Sequence, residues 1–443
     1  MRIRSFGKLS DGRSAGLYIL SNRNGMEVHL TDYGAAIVKL IVPDSMGKFR
    51  DVVLGYDDAA GYEAGEASFG ATVGRVANRI SNASFDMNGR HYILTANSGP
   101  NTLHGGRDFY VKRLWSPVIS FGTISTSDLA SAYAVESMND WSREPRGREK
   151  GPEDSEQDSI TFTLLSPDGD QGFPGDLRIT LTYTLTDDNE LHIDYHAVLN
   201  AEEEESAINP NARKGNDADR DAFSAETWIP TSAGTDPDET PAKESDRRIS
   251  TPINLTNHSY FNLNGHDSGT VLMHTVQINA EQFTETDKRS VPTGTLLDVK
   301  WTPMDFRTPK TLAQDIDNDY EPMRFGAGYD HNYVLSSAEP AVESGKTPDG
   351  QSPYREVAHV CSVDSGICMT VLTDLPGMQL YTANYLDEEP GKDGAVYKKR
   401  SAVCFETQFW PDTVNKENFP GGVLTEGEEF TSRTTYKFSI TEE

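Results

Sequence analysis

Two short segments of this 443-residue chain hold side chains able to move protons. In Phe405-Glu406-Thr407-Gln408-Phe409-Trp410-Pro411-Asp412, a strand-like period of two sends Glu406, Gln408 and Trp410 to one side. Val403, Phe405 and Phe409 go to the other. One face reads as core. The other offers a carboxylate, an amide and a flat apolar ring, a set that suits a sugar. A carboxylate on a strand is costly to bury without a purpose, so this face is expected to line a cleft. The second segment, Ile253-Asn254-Leu255-Thr256-Asn257-His258-Ser259-Tyr260-Phe261-Asn262-Leu263-Asn264, is also read as a strand, with a largely apolar side and a wet side carrying His258 and Tyr260. Carboxylate and imidazole are the usual partners in general acid–base chemistry.

The elements that position them read as β-structure. Asp11-Gly12, Asn24-Gly25 and Asn88-Gly89 each lie between strand-like runs, which is the hairpin signature. Met26 to Val42 reads as a hairpin arm, a break at Gly34 and a more buried strand. Leu177, Ile179, Leu181, Tyr183 and Leu185 alternate with polar residues. After a turn at 187–190, Leu191, Ile193, Tyr195, Ala197 and Leu199 continue the pattern. Helical periodicity is scarce. The expected fold is therefore all-β, a large antiparallel β-sandwich with few short helices.

The chain is expected to form a single domain over 1–443. Residues 139–159, 202–250 and 337–356 break the rhythm, being charged or rich in Ser, Pro, Gly and Glu, and are expected to be exposed or disordered insertions. The net charge of −29, without a basic stripe, argues against nucleic acid or an anionic membrane as partner. No apolar run is long enough to span a bilayer, and the amino terminus lacks a signal-peptide core, so a cytoplasmic protein is expected. Three cysteines, Cys361, Cys368 and Cys404, show no CxxC or Cys/His metal spacing, and neither a disulfide framework nor a zinc site is expected. Cys404 reads as a small packing residue rather than a nucleophile. Oligomeric state is not legible.

GATVGRVANRI, NTLHGG, NLTNHSYFNLNG, YDHNYVL, PGMQLYTANYL and CFETQFWPDTVN occur in an order that resembles the aldose 1-epimerases, the galactose mutarotases, from about Gly70 to Asn415. The resemblance implies the twisted supersandwich of that family and interconversion of the α and β anomers of free hexoses such as D-galactose and D-glucose. The partner is then a small aldose. Ring opening takes a proton from the C1 hydroxyl while another reaches the ring oxygen, and closure reverses both transfers. No electron moves, so no cofactor or metal is needed.

The resemblance implies Glu406 as base and His258 as acid, with a histidine pKa expected to be raised by the carboxylate. It gives Asn78, Arg79, His104, Asp330 and, more weakly, Gln379 to substrate binding. Tyr260 joins them by sharing the histidine's face. Arg75 reads as structural, and alternation puts His331 on the far side of its strand. A buried ion pair, for instance with Arg79, is the plain structural alternative for Glu406. A glycoside hydrolase using Glu406 and Asp330, or a non-catalytic sugar-binding sandwich, are the competing functions.

Overall fold

The computed structural model describes residues 1–118, 157–200, 248–336 and 354–441. Three antiparallel sheets dominate. Strands Arg2–Lys8, Ser14–Ser21, Glu27–Thr31, Ala36–Pro43 and Phe49–Asp51 form a sequential amino-terminal sheet. Its first two connections carry Asp11-Gly12 and Asn24-Gly25. Asn88 and Gly89, both at positive φ, turn a separate two-stranded hairpin as expected.

The second sheet has nine strands, in the spatial order Ser116–Val118, Gln157–Ser166, Leu177–Thr186, Glu190–Leu199, Glu429–Ile440, Ile367–Thr373, Arg355–Cys361, Thr275–Ile278 and Lys310–Thr311. The hairpin read at 177–199 is present, with Tyr183 opposite Ile193. Glu429–Ile440 joins the two halves, pairing with Glu190–Leu199 on one side and Ile367–Thr373 on the other. The third sheet runs Pro292–Asp298, Ala280–Thr286, Asp330–Leu335, Gly377–Tyr381, Cys404–Gln408. Among the described residues the α-helices are two six-residue pieces, Ala59–Ala64 and Glu321–Gly326.

Alternation explains the layers. Leu181, Ile193, Val371 and Tyr436 of the nine-stranded sheet meet Leu20 and Val28 of the amino-terminal sheet, and Tyr333, Met378, Leu380 and Phe405 from the back of the third, in one buried cluster. Each fully buried side chain of this kind stabilises by roughly 1.5–3 kcal/mol. Leu17, Ile19 and Val38 point the other way, into a second cluster with Phe69, Tyr260, Tyr381 and Cys404. The amino-terminal sheet is thus buried on both faces. Glu429–Ile440 also backs the third sheet: Tyr436 donates to the Phe405 carbonyl at 3.2 Å, and Thr434 and Thr407 share a hydroxyl hydrogen bond.

Several expectations need correction. The segment 253–264 is extended, but only Thr256–Asn257 is strand, paired with Thr72–Val73. Its polar side is wet only around His258 and Tyr260: Asn254 exchanges hydrogen bonds with the Phe409 backbone, and Asn262 caps the carbonyls of Gly269 and Ser401. Buried amides here replace ladder partners that the short strand cannot supply. The expected insertions fall outside the described residues except at their ends, where 157–159, 250 and 355–356 are strand rather than loop. Cys361 and Cys368 form a disulfide, with Cα atoms 4.1 Å apart. The hairpin register sets them directly opposite each other, a pairing that a spacing of seven residues does not reveal.

Candidate active site

Register in the third sheet builds the floor of the site. Asn332 pairs with Gln379 and Gln379 with Glu406, so three polar side chains stand in one row across three strands. One pair further along, Asp330 faces Tyr381. The intervening residues His331, Leu380 and Phe405 point into the interior instead. His331 is buried there, bonded to the Pro322 carbonyl at 3.1 Å and edge-on to Phe283.

A cavity of about 330 Å³ opens on this floor, and Asn78, Arg79, His104, His258, Tyr260, Asp330, Gln379 and Glu406 all line it. Residues separated by more than 300 positions therefore share one wall. Glu406 and His258 are almost fully buried, with His258 Nε2 3.5 Å from Glu406 Oε1. The imidazole stacks on the Tyr260 ring at 4.8 Å and meets His104 edge-on at 5.5 Å. Glu406 forms no ion pair with Arg79; its buried charge partner is His258 instead. Among the described residues the Arg79 guanidinium donates to no protein acceptor, and its Nε is buried without a partner.

The two binding loops are tied together. Leu103 pairs with Arg79 and Thr102 with Ile80, the His104 N–H donates to the Asn78 carbonyl at 2.9 Å, and the Asn78 N–H donates to His104 Nδ1 at 3.2 Å. That last bond leaves the proton of the neutral ring on Nε2. Asn78 and His104 both sit at positive φ, 62° and 55°, an uncommon conformation that this double clasp holds. Gly105, at φ 92°, has no room for a side chain because a Cβ would fall 2.2 Å from the Gly74 carbonyl oxygen. The glycine packs loop on loop rather than admitting a ligand.

Behind the floor an amide relay orients the aspartate. Gln408 donates to Gln379 Oε1 at 3.4 Å and to Asn332 Oδ1 at 3.1 Å, and Gln379 donates to Asp330 Oδ1 at 2.6 Å. Gln408 thus belongs to the support and does not line the cavity. Trp410 departs further from the reading of its strand. The strand ends at Gln408, and the Trp410 indole bonds the Pro376 carbonyl and packs edge-on against Phe419. Its place in the cavity is taken by Tyr381 and Tyr385, whose rings stack 6.2 Å apart. Tyr381 was findable, two residues after Gln379 on the same face. Tyr385, and the rim residues Glu66, Ser68, Asp387 and Glu389, carry no comparable signal because loop closure alone brings them there.

Burial governs the charges. It pulls the His258 imidazole down to about 4, opposite to the expected rise, because desolvation outweighs the one raising contribution, a hydrogen bond to the residue's own backbone. Burial also pushes the Glu406 carboxyl well up, with Asp330 adding to the rise and Arg79 opposing it. The His104 ring is held neutral by burial, then by His258 and Arg79. The same desolvation thus disfavours both charged forms, the imidazolium of His258 and the carboxylate of Glu406. Cys404 is fully buried and its thiol is pushed up by the same desolvation, which fits a packing residue and not an activated nucleophile.

The model of the aldose 1-epimerase family matches residues 16–121, 146–210 and 240–437. The galactose mutarotase of Bos taurus is 33% identical over 94% of this chain and 92% of its own length. The aldose 1-epimerase of Escherichia coli K12 is 30% identical over 97% and 96%. A solved aldose epimerase homologue from C. elegans superimposes with a TM-score of 0.69 at 28% identity, covering 97% of this chain and all of that one. By sequence, fold and coverage alike, the chain is a member of the aldose 1-epimerase family.

Proposed function

We propose that Glu406 and His258 interconvert the anomers of free hexoses in this cavity, with D-galactose and D-glucose the foremost candidates. Members of the family are carbohydrate isomerases, and this chain is one of them. The observation that carries the assignment of roles is the pairing of a carboxylate and an imidazole 3.5 Å apart, both buried, in a cavity of sugar size. A C1 hydroxyl and the ring oxygen sit on one carbon, so acid and base must stand this close.

The cyclic sugar requires Glu406 ionised and His258 protonated. Hydrogen bonds from the sugar to the carboxylate favour that form, and Arg79 favours it too. Substrate binding therefore shifts the pair toward carboxylate and imidazolium. Glu406 then takes the C1 hydroxyl proton while the bond from C1 to the ring oxygen breaks and His258 protonates that oxygen. Rotation about C1–C2 presents the other carbonyl face, and the roles reverse. His104, with its proton on Nε2, and Asn78 and Arg79 serve as hydroxyl donors. Asp330, aimed by Gln379, accepts from hydroxyls distal to C1. Tyr260 buttresses His258, and Tyr381 and Tyr385 offer apolar faces to the sugar's C–H surface. The acidic rim at Glu66, Asp387 and Glu389 supports neutral sugars over sugar phosphates. Because residues 66–106, 258–260 and 330–406 all contribute, we treat 1–443 as one domain serving one site. Polarimetry on freshly dissolved α-D-galactose is the test. Added protein should hasten the approach to the equilibrium rotation, and an unchanged decay would remove the reading.

A further inference from the structure

Beside the proposed acid and base lies a third donor that the anomer reaction does not use. Cys404 stands two residues before Glu406 on the same face of the strand Cys404–Gln408, and His258 closes over both from the segment 253–264. His258 nitrogen, Cys404 sulfur and a Glu406 oxygen all lie within 4.8 Å of one another, and all three residues are buried. We infer that His258, Cys404 and Glu406 form an inhibitory site for a soft divalent cation of the zinc and cadmium class.

The spacing supports this. Two zinc bonds of about 2.0–2.1 Å at a tetrahedral angle hold N and O ligand atoms about 3.4 Å apart. The His258–Glu406 separation is 3.5 Å, so these two ligands need no rearrangement. A thiolate reaches slightly further, with a Zn–S distance of about 2.3 Å, and selects soft metals over magnesium or calcium. Binding releases the Cys404 proton to solvent. Three protein ligands leave the fourth position to water in the cavity. The other cluster of this kind among the described residues, His359 with Cys361 and Cys368, offers no thiolate while its sulfurs are joined to each other. Inhibition rests on the roles proposed above for Glu406 and His258, but metal binding itself does not.

The experiment uses the full chain without reductant, so that Cys361 and Cys368 stay joined. Micromolar zinc should stop mutarotation, EDTA should restore it, and galactose should raise the zinc concentration needed. Cadmium should give an ultraviolet sulfur-to-metal charge-transfer band at one equivalent per chain. In Cys404→Ala, turnover should stay within about twofold, the band should vanish, and zinc sensitivity should weaken by at least about tenfold. Cys404→Ser, which keeps the size but offers a hard oxygen, should behave like Cys404→Ala and covers a failure of the alanine variant to fold. Wild-type activity indifferent to millimolar zinc, or a cadmium band that survives in Cys404→Ala, would overturn the site. A band in a protein without mutarotation would leave the metal site standing and remove the proposed function.

Discussion

Arg75 and Arg79 sit four residues apart in one loop and live under opposite rules. The terminal nitrogens of Arg75 donate to six acceptors: the carbonyls of Pro174, Gly175, Ser166 and Pro167 and the hydroxyls of Thr251 and Ser166. Only its Nε lacks a partner. Arg79 lines the cavity and donates to no acceptor among the described residues. A guanidinium wrapped in carbonyls stitches loops together. One held without partners in a cavity keeps its donors free for something that arrives later. Saturation marks structure here, and an open valence marks the place for a ligand.

The contrast can be broken by substitution. Glu406→Gln should have the largest effect, lowering kcat by roughly 10²–10⁴-fold with KM little changed, because it removes the group that moves the proton and keeps its shape. Polarimetric progress curves across a range of galactose concentrations separate the two constants, and wild-type turnover in this variant would refute the base. Arg75→Ala should come next, costing about 3 kcal/mol of stability by stranding buried carbonyls, as read by urea unfolding. Activity per folded molecule should stay near wild type. Arg79→Ala should show the mirror image, with KM raised about tenfold and stability nearly unmoved. If both arginine variants lost stability equally, the distinction between saturated and open sites would fail.

A pH profile sharpens the same comparison. The active form holds one proton on the Glu406–His258 pair. His258 takes a second as pH falls through about 4, which removes the base. The acid limb of kcat/KM should therefore lie near 4. A limb near 6.5 would mean that His258 is hydrated rather than buried. Gln379→Ala should have the smallest effect, a few-fold rise in KM, because Asp330 keeps its position on the strand and loses only its aim.

Much of this was legible in the chain. The period of two located the hairpin 177–199 and the core faces of three strands, and the eight side chains given to proton transfer and binding line the cavity, whereas Gln408 and Trp410 of the face read as a cleft wall do not. What could not be read depended on distance through space. Trp410 obeyed strand phase on paper, but its strand stops two residues earlier, so the phase no longer applied. The His258 pKa moved opposite to expectation because burial, a property of the fold that sequence does not show, dominates the shift. The Cys361–Cys368 bond needed the hairpin register. Tyr385 and Glu66 arrive by loop closure and leave no periodic trace.

The place of Glu429–Ile440 at the middle of the nine-stranded sheet has a consequence in time. Ile193 pairs with Thr434, about 240 residues downstream. During synthesis the half-sheet ending at Glu190–Leu199 waits with an open edge until that strand emerges, and such edges invite pairing with other chains. The same strand braces the one bearing Glu406. Pairings this remote in sequence make folding slow, so catalytic competence should lag behind the first appearance of β-structure.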